Sequence, residues 1–133
     1  MWQVTGAITK SQVDTFLFVR LPFEKPIDLS QANCLMVETW VPEQQPGPAQ
    51  LLVILHEEGG GDFLASSGRS LAAPGHNRVY LPFNQFQLAG WSKDADGLLD
   101  LTRVREIRVG WGGYLGQAGE KIKFNLKTPL VVQ

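Results

Sequence analysis

Proline and glycine cut this chain into short apolar runs, and none of those runs carries the three-to-four-residue spacing of an amphipathic helix. Phe16 to Leu21 (FLFVRL) is aromatic and β-branched and meets Pro22. Cys34 to Val41 (CLMVETWV) runs into the turn Pro42 to Pro48. Gln50 to Glu57 (QLLVILHE) is apolar at successive positions, which suits a central strand covered on both faces. Further strands are expected near Trp2 to Ile8, Asp62 to Ala65, His76 to Phe83, Arg105 to Trp111 and Glu120 to Leu126. About eight short strands with this punctuation predict an all-β sandwich, a jelly roll of two antiparallel sheets. One helical turn is expected within Asn84 to Gly90.

At 133 residues without an internal repeat or a linker, residues 1–133 are expected to form one domain. Hydrophobic residues make up 44% and charged residues 19%, a globular composition. The formal net charge of -1 exerts no overall pull on nucleic acid or an anionic membrane. The single cysteine, Cys34, excludes an intrachain disulfide, and its apolar neighbours predict a buried, inert thiol. No apolar stretch reaches the roughly 18 residues of a membrane span, and the first residues lack the apolar region of an export signal. Work outside the cell therefore requires that the chain be part of a longer exported protein.

Residue parity assigns faces. Ile122, Phe124 and Leu126 share one side of the last strand, while Lys121, Lys123, Asn125 and Lys127 share a solvated side that also suits a protected sheet edge. Ile107, Val109 and Trp111 point together, so Trp111 lies on the core side at its strand's last position. Trp40 shares a face with Glu38, and Tyr80 shares one with Arg78, as if lining an outer sheet surface.

Catalytic patterns are weak. His56 and Glu57 lack a second histidine at metalloprotease spacing, since His76 lies far downstream. Ser66 to Ser70 lacks the nucleophile elbow, and Gly59 to Gly61 lacks the lysine and helix of a phosphate loop. Asp94 and Asp96, one residue apart, hint at a calcium loop whose other positions are missing. The metal content thus stays unassigned, with a structural calcium left open and no cofactor required.

A binding chemistry suits the residues better. Aromatic rings offer flat apolar area to the C–H faces of sugars, and Asp, Gln and Arg pair with hydroxyls. The loop Gln87 to Gly97 supplies Gln87, Trp91, Asp94 and Asp96. The strand end supplies Arg108, Trp111 and Tyr114, with Gly112 and Gly113 between the two aromatics.

The stretches RVYLPFNQF (Arg78 to Phe86) and GLLDLTRVREIRVGW (Gly97 to Trp111) resemble galactose-binding-like jelly rolls, most closely family-eleven carbohydrate-binding modules. Arg20 to Thr39 fits the same pattern. That resemblance implies non-catalytic binding of a plant or microbial polysaccharide or oligosaccharide, of β-glucan type, as an accessory to the catalytic domain of a secreted glycoside hydrolase. It also implies that Gln87 to Gly97 and Trp111 line the cleft, with Trp91, Trp111 and Tyr114 stacking on rings and Asp94, Asp96 and Arg108 bonding hydroxyls. The family's Asp-Asn-Ile near the last strand is replaced here by FNLKTP. The competing expectations are a structural domain that packs on a catalytic neighbour without binding sugar, and an intracellular assembly factor of the same fold.

Overall fold

The computed structural model describes residues 2–12, 14–45, 50–94 and 96–133, apart from the side chains of Asp14, Thr15, Tyr114 and Leu115. Ten strands follow in order: β1 (Trp2–Ala7), β2 (Asp14–Ile27), β3 (Cys34–Val41), β4 (Gln50–Glu57), β5 (Asp62–Ser70), β6 (Gly75–Pro82), β7 (Gln87–Leu88), β8 (Val104–Leu115), β9 (Lys121–Leu126) and β10 (Leu130–Val132). They form two five-stranded antiparallel sheets. In the first, β3 is the axis: β6 pairs along its whole length on one side, while β9 and β10 share the other side end to end, and β1 pairs β9. The second runs β2-β8-β4-β5-β7.

The alternation read from the sequence packs the two sheets face to face. Leu35, Val37, Phe124 and Leu126 of the first sheet meet Leu51, Val53, Leu55, Phe63, Val109 and Trp111 of the second in one apolar cluster. Ile122 and Phe124 point inward, and the lysines beside them point out. These lysines guard no edge, because β9 is interior, flanked by β1 and β3.

Other features also differ from the sequence reading. Strand β2 does not stop at Pro22 but continues through Pro26; it is an edge strand, where a residue without an N–H leaves no ladder bond unmade. The helical turn sits earlier than expected, as a 3-10 turn at Phe83–Gln85, and Gln87–Leu88 forms the short edge strand β7. Cys34 is half-buried, because its parity places it on the outward side of β3 opposite Pro82. Strand β10, absent from the sequence reading, is three residues long and completes the side of β3 that β9 leaves open.

Candidate functional site

The outer face of the second sheet carries a polar cluster built by strand register. The Glu57–Gly61 turn closes β4 onto β5, with the Glu57 N–H donating to the Gly61 carbonyl at 3.0 Å, and this sets His56 opposite Asp62. The neighbouring ladder sets His56 opposite Glu106, and β2 sets Arg20 opposite Arg108. Side chains directly opposite in a sheet lie close enough to bond. His56 Nδ1 is 2.6 Å from Asp62 Oδ1, and Arg108 Nη1 is 3.6 Å from Asp62 Oδ2. Arg20 Nε donates to Glu106 Oε1 at 3.1 Å, while Arg108 Nε donates to the other Glu106 oxygen.

Both carboxylates are held below their ordinary range. Burial works against the charge of Glu106, but hydrogen bonds and attraction from Arg108 and Arg20 outweigh it. Burial likewise opposes the charge of Asp62, and Trp91, His56 and Arg108 together overcome it. Two buried anions thus anchor two guanidiniums and an imidazole in fixed orientation, with Arg20 reaching solvent and Arg108 and His56 partly exposed.

Trp91 completes the cluster. Its indole Nε1 donates to Asp62 Oδ2 at 3.0 Å, yet the residue remains 62% exposed. The loop is tied to the start of β5 by two further bonds, Ala89 N–H to the Asp62 carbonyl at 2.9 Å and Asp62 N–H to Ser92 Oγ at 2.9 Å, and is closed on itself by Ser92 N–H to the Ala89 carbonyl at 3.0 Å. The ring is therefore held in position rather than free. On the opposite margin, β2 offers Phe16, 67% exposed, with its ring 5.8 Å from that of Phe18. Between the margins Leu52, Ile54 and Leu64 sit on the same side, beside Gly110 and Gly112 of β8. At Gly110 an added Cβ would meet the Leu17 carbonyl oxygen at 2.0 Å, so only glycine allows β8 to lie so close to β2.

The predicted residues separate. Trp91 and Arg108 belong to this face, and Gln87, opposite Leu64, is exposed on the same side. Trp111 is the clear correction. It is fully buried, opposite Leu17 and Leu51, because parity holds to the end of the core and β8 continues to Leu115 instead of ending at Trp111. It cannot stack on a ligand. The side chain of Tyr114 lies outside the described residues.

Asp94 and Asp96 do not join the face. They line a separate pocket of about 330 Å³ with Glu57, Glu58, Asp100 and Arg103. There Asp96 Oδ1 accepts from the Leu98 N–H at 2.9 Å, capping its own turn. Glu57, nearly buried, accepts from the Asp100 N–H at 2.8 Å. Burial, with Asp94 hydrogen-bonded beside it, pushes the Glu57 carboxyl up to about 7. His56 and His76 lie on different sheets. Among the described residues no group of three or more His, Cys, Asp or Glu side chains is placed to hold a metal ion.

Arg20, His56, Asp62, Glu106 and Phe16 were missed as site residues. The legible signal was the Glu-Glu-Gly-Gly-Gly turn between His56 and Asp62, which pins those two opposite each other once it is read as a hairpin.

No family model matches the chain, and no curated protein matches it. Solved structures do. A family 11 carbohydrate-binding module from Clostridium thermocellum, in complex with a β-1,3-1,4-mixed-linked tetrasaccharide, superposes with a TM-score of 0.68 at 14% identity, over 98% of this chain and 82% of that one. The family 11 module of a cellulosomal cellulase of the same organism gives a TM-score of 0.65 at 12% identity, over 98% and 81%. The chain therefore has the β-sandwich fold of the family 11 carbohydrate-binding modules.

Proposed function

We propose that this chain is a non-catalytic carbohydrate-binding module whose ligand lies across the outer face of the β2-β8-β4-β5-β7 sheet. The observation that carries the reading is Trp91: a large ring, mostly exposed, yet fixed by its indole to the buried Asp62 carboxylate. A ring held in place loses little freedom on stacking against a sugar. Gln87, His56, Arg108 and, across the face on β2, Arg20 supply donors and acceptors for hydroxyls, and Phe16 and Phe18 extend the apolar area.

The fold-level neighbours favour a β-glucan, since one of them is described in complex with a mixed-linked tetrasaccharide. The same likeness, to a module of a cellulosomal cellulase, supports a role as an accessory to an exported glycoside hydrolase. Affinity should be modest, because an open sheet face leaves much of a bound chain wet.

Affinity electrophoresis through gels containing mixed-linked β-glucan, xyloglucan, xylan or mannan tests the proposal. Retardation by one neutral polymer, lost in Trp91→Ala, supports it and names the ligand class. Unretarded migration in every gel refutes it and favours a domain that only packs on a catalytic neighbour.

A further inference from the structure

The opposite face of the sandwich, the outer side of the first sheet, carries a second constellation that the reading above does not use. Register sets it in three rows across the strands. Tyr80, Met36 and Leu130 form one row, and Arg78 with Glu38 forms the next. His76, Trp40, Asn125 and Gln3 form the third. Trp40 is 45% exposed and Tyr80 54% exposed, and they lie about 13 Å apart along the strands. The Trp40 ring leans on His76 with centroids 6.1 Å apart. Between the aromatic rows Glu38 is buried and clamped by His76, by Arg78 at 3.5 Å and by Lys127 at 3.3 Å. Lys121 and Lys123 extend the same side along β9.

Two features decide what this face fits. The charged row splits the apolar area, whereas the buried centre of a protein–protein contact is depleted of Lys and Glu. A ligand that stays hydrated and stacks ring by ring suits split aromatic rows better. The charge is also lopsided: among the described residues Arg78, Lys123 and Lys127 pair with Glu38 and Glu43, and Lys121 adds a further cation on the same side. The other sheet face is balanced by contrast, with Arg20 and Arg108 against Asp62 and Glu106.

We propose that the outer face of the first sheet is a second glycan-binding surface, with Trp40 and Tyr80 stacking on sugar rings and Arg78 and the β9 lysines pairing with the carboxylates of an acidic, uronate-bearing polysaccharide. The lysine and arginine donors make charge-assisted bonds to carboxylates, and these are the stronger ones in a wet site. This surface does not depend on the neutral-glucan reading of the other face, and the variants of each face separate the two.

Affinity electrophoresis in polygalacturonate gels, with mixed-linked β-glucan and inorganic polyphosphate gels alongside, is the test. The wild type should be retarded by polygalacturonate more than by polyphosphate. The Trp40→Ala/Tyr80→Ala pair should weaken that retardation by about tenfold, while Trp91→Ala leaves it unchanged. A Lys121→Gln/Lys123→Gln pair on outward-facing positions should weaken it too and tests the charge term if the aromatic pair fails to fold. Unretarded migration in polygalacturonate overturns the proposal. So does equal retardation by polyphosphate that survives Trp40→Ala, which would mark simple ion exchange.

Discussion

At the scale of single residues, two tryptophans in similar sequence settings have opposite roles, and each role has a mutational signature. Trp91 is exposed and hydrogen-bonded at its indole edge only. Trp91→Ala should weaken polysaccharide binding by about tenfold and leave the melting temperature nearly unchanged, because Asp62 keeps His56 and Arg108. Trp111 is fully enclosed between the sheets. Trp111→Ala should cost about 3–5 kcal/mol in chemical denaturation, the usual loss for a buried large aromatic. A stable Trp111→Ala that has lost only ligand affinity would contradict the placement.

At the scale of strands, the β2–β8 pair shows both what could be read and what could not. Period-two alternation in Arg105 to Trp111 assigned Ile107, Val109 and Trp111 to the core side, and all three are buried there. The same parity, taken seriously, already argued against Trp111 as a platform; the resemblance to a cleft-lining aromatic pulled the expectation the other way. The length of β2 was not legible, since proline stops an interior strand but not an edge strand, and edge status depends on pairing that only the tertiary fold decides. The polar cluster was illegible for a related reason. His56 and Asp62 face each other across one hairpin, but Arg20 and Glu106 come from strands far away in sequence, and only register brings them to that pair. The outward placement of Trp91, Arg108 and Gln87 on this face was legible because a polar loop region and an outward strand position are visible locally.

The close approach of β2 and β8 makes its own prediction. A Cβ at Gly110 would strike the Leu17 carbonyl oxygen at 2.0 Å and Phe18 Cα at 2.7 Å, both backbone atoms that cannot rotate away. Gly110→Ala should therefore destabilise by roughly 1–3 kcal/mol or more and speed hydrogen exchange of the β2 amides first. Unchanged exchange in β2 would mean that the strand yields without loss.

At the scale of the whole molecule, Glu57 ties stability to pH. Its carboxyl sits at about 7 in the folded protein against an ordinary 4.5. Between those values the folded state holds a proton that the unfolded chain has released, so stability falls as pH rises through this window. The full penalty applies above the folded value and amounts to about 3 kcal/mol at most. Glu38, Asp62 and Glu106 act in the other direction and elsewhere: their lowered values stabilise the fold above the ordinary carboxylate range and are lost only in more acid solution. Glu57→Gln keeps an acceptor for the Asp100 N–H. Its urea midpoint should exceed that of the wild type at about pH 8, with the gap closing toward about pH 5. A constant gap at both pH values would show that Glu57 is not the titrating group.

The central claim is that one face of the sandwich, the β2-β8-β4-β5-β7 side, meets a neutral glycan through Trp91 and the residues around Asp62. The most direct measurement is nitrogen–proton correlation spectroscopy of the labelled protein titrated with a mixed-linked β-glucan tetrasaccharide. The account predicts that the Trp91 indole N–H and the amides of Phe18, Arg20, His56, Asp62 and Arg108 shift together, while those of Glu38, Trp40, Arg78 and Tyr80 stay in place. Shifts confined to the first sheet, or none at saturating ligand, would contradict it.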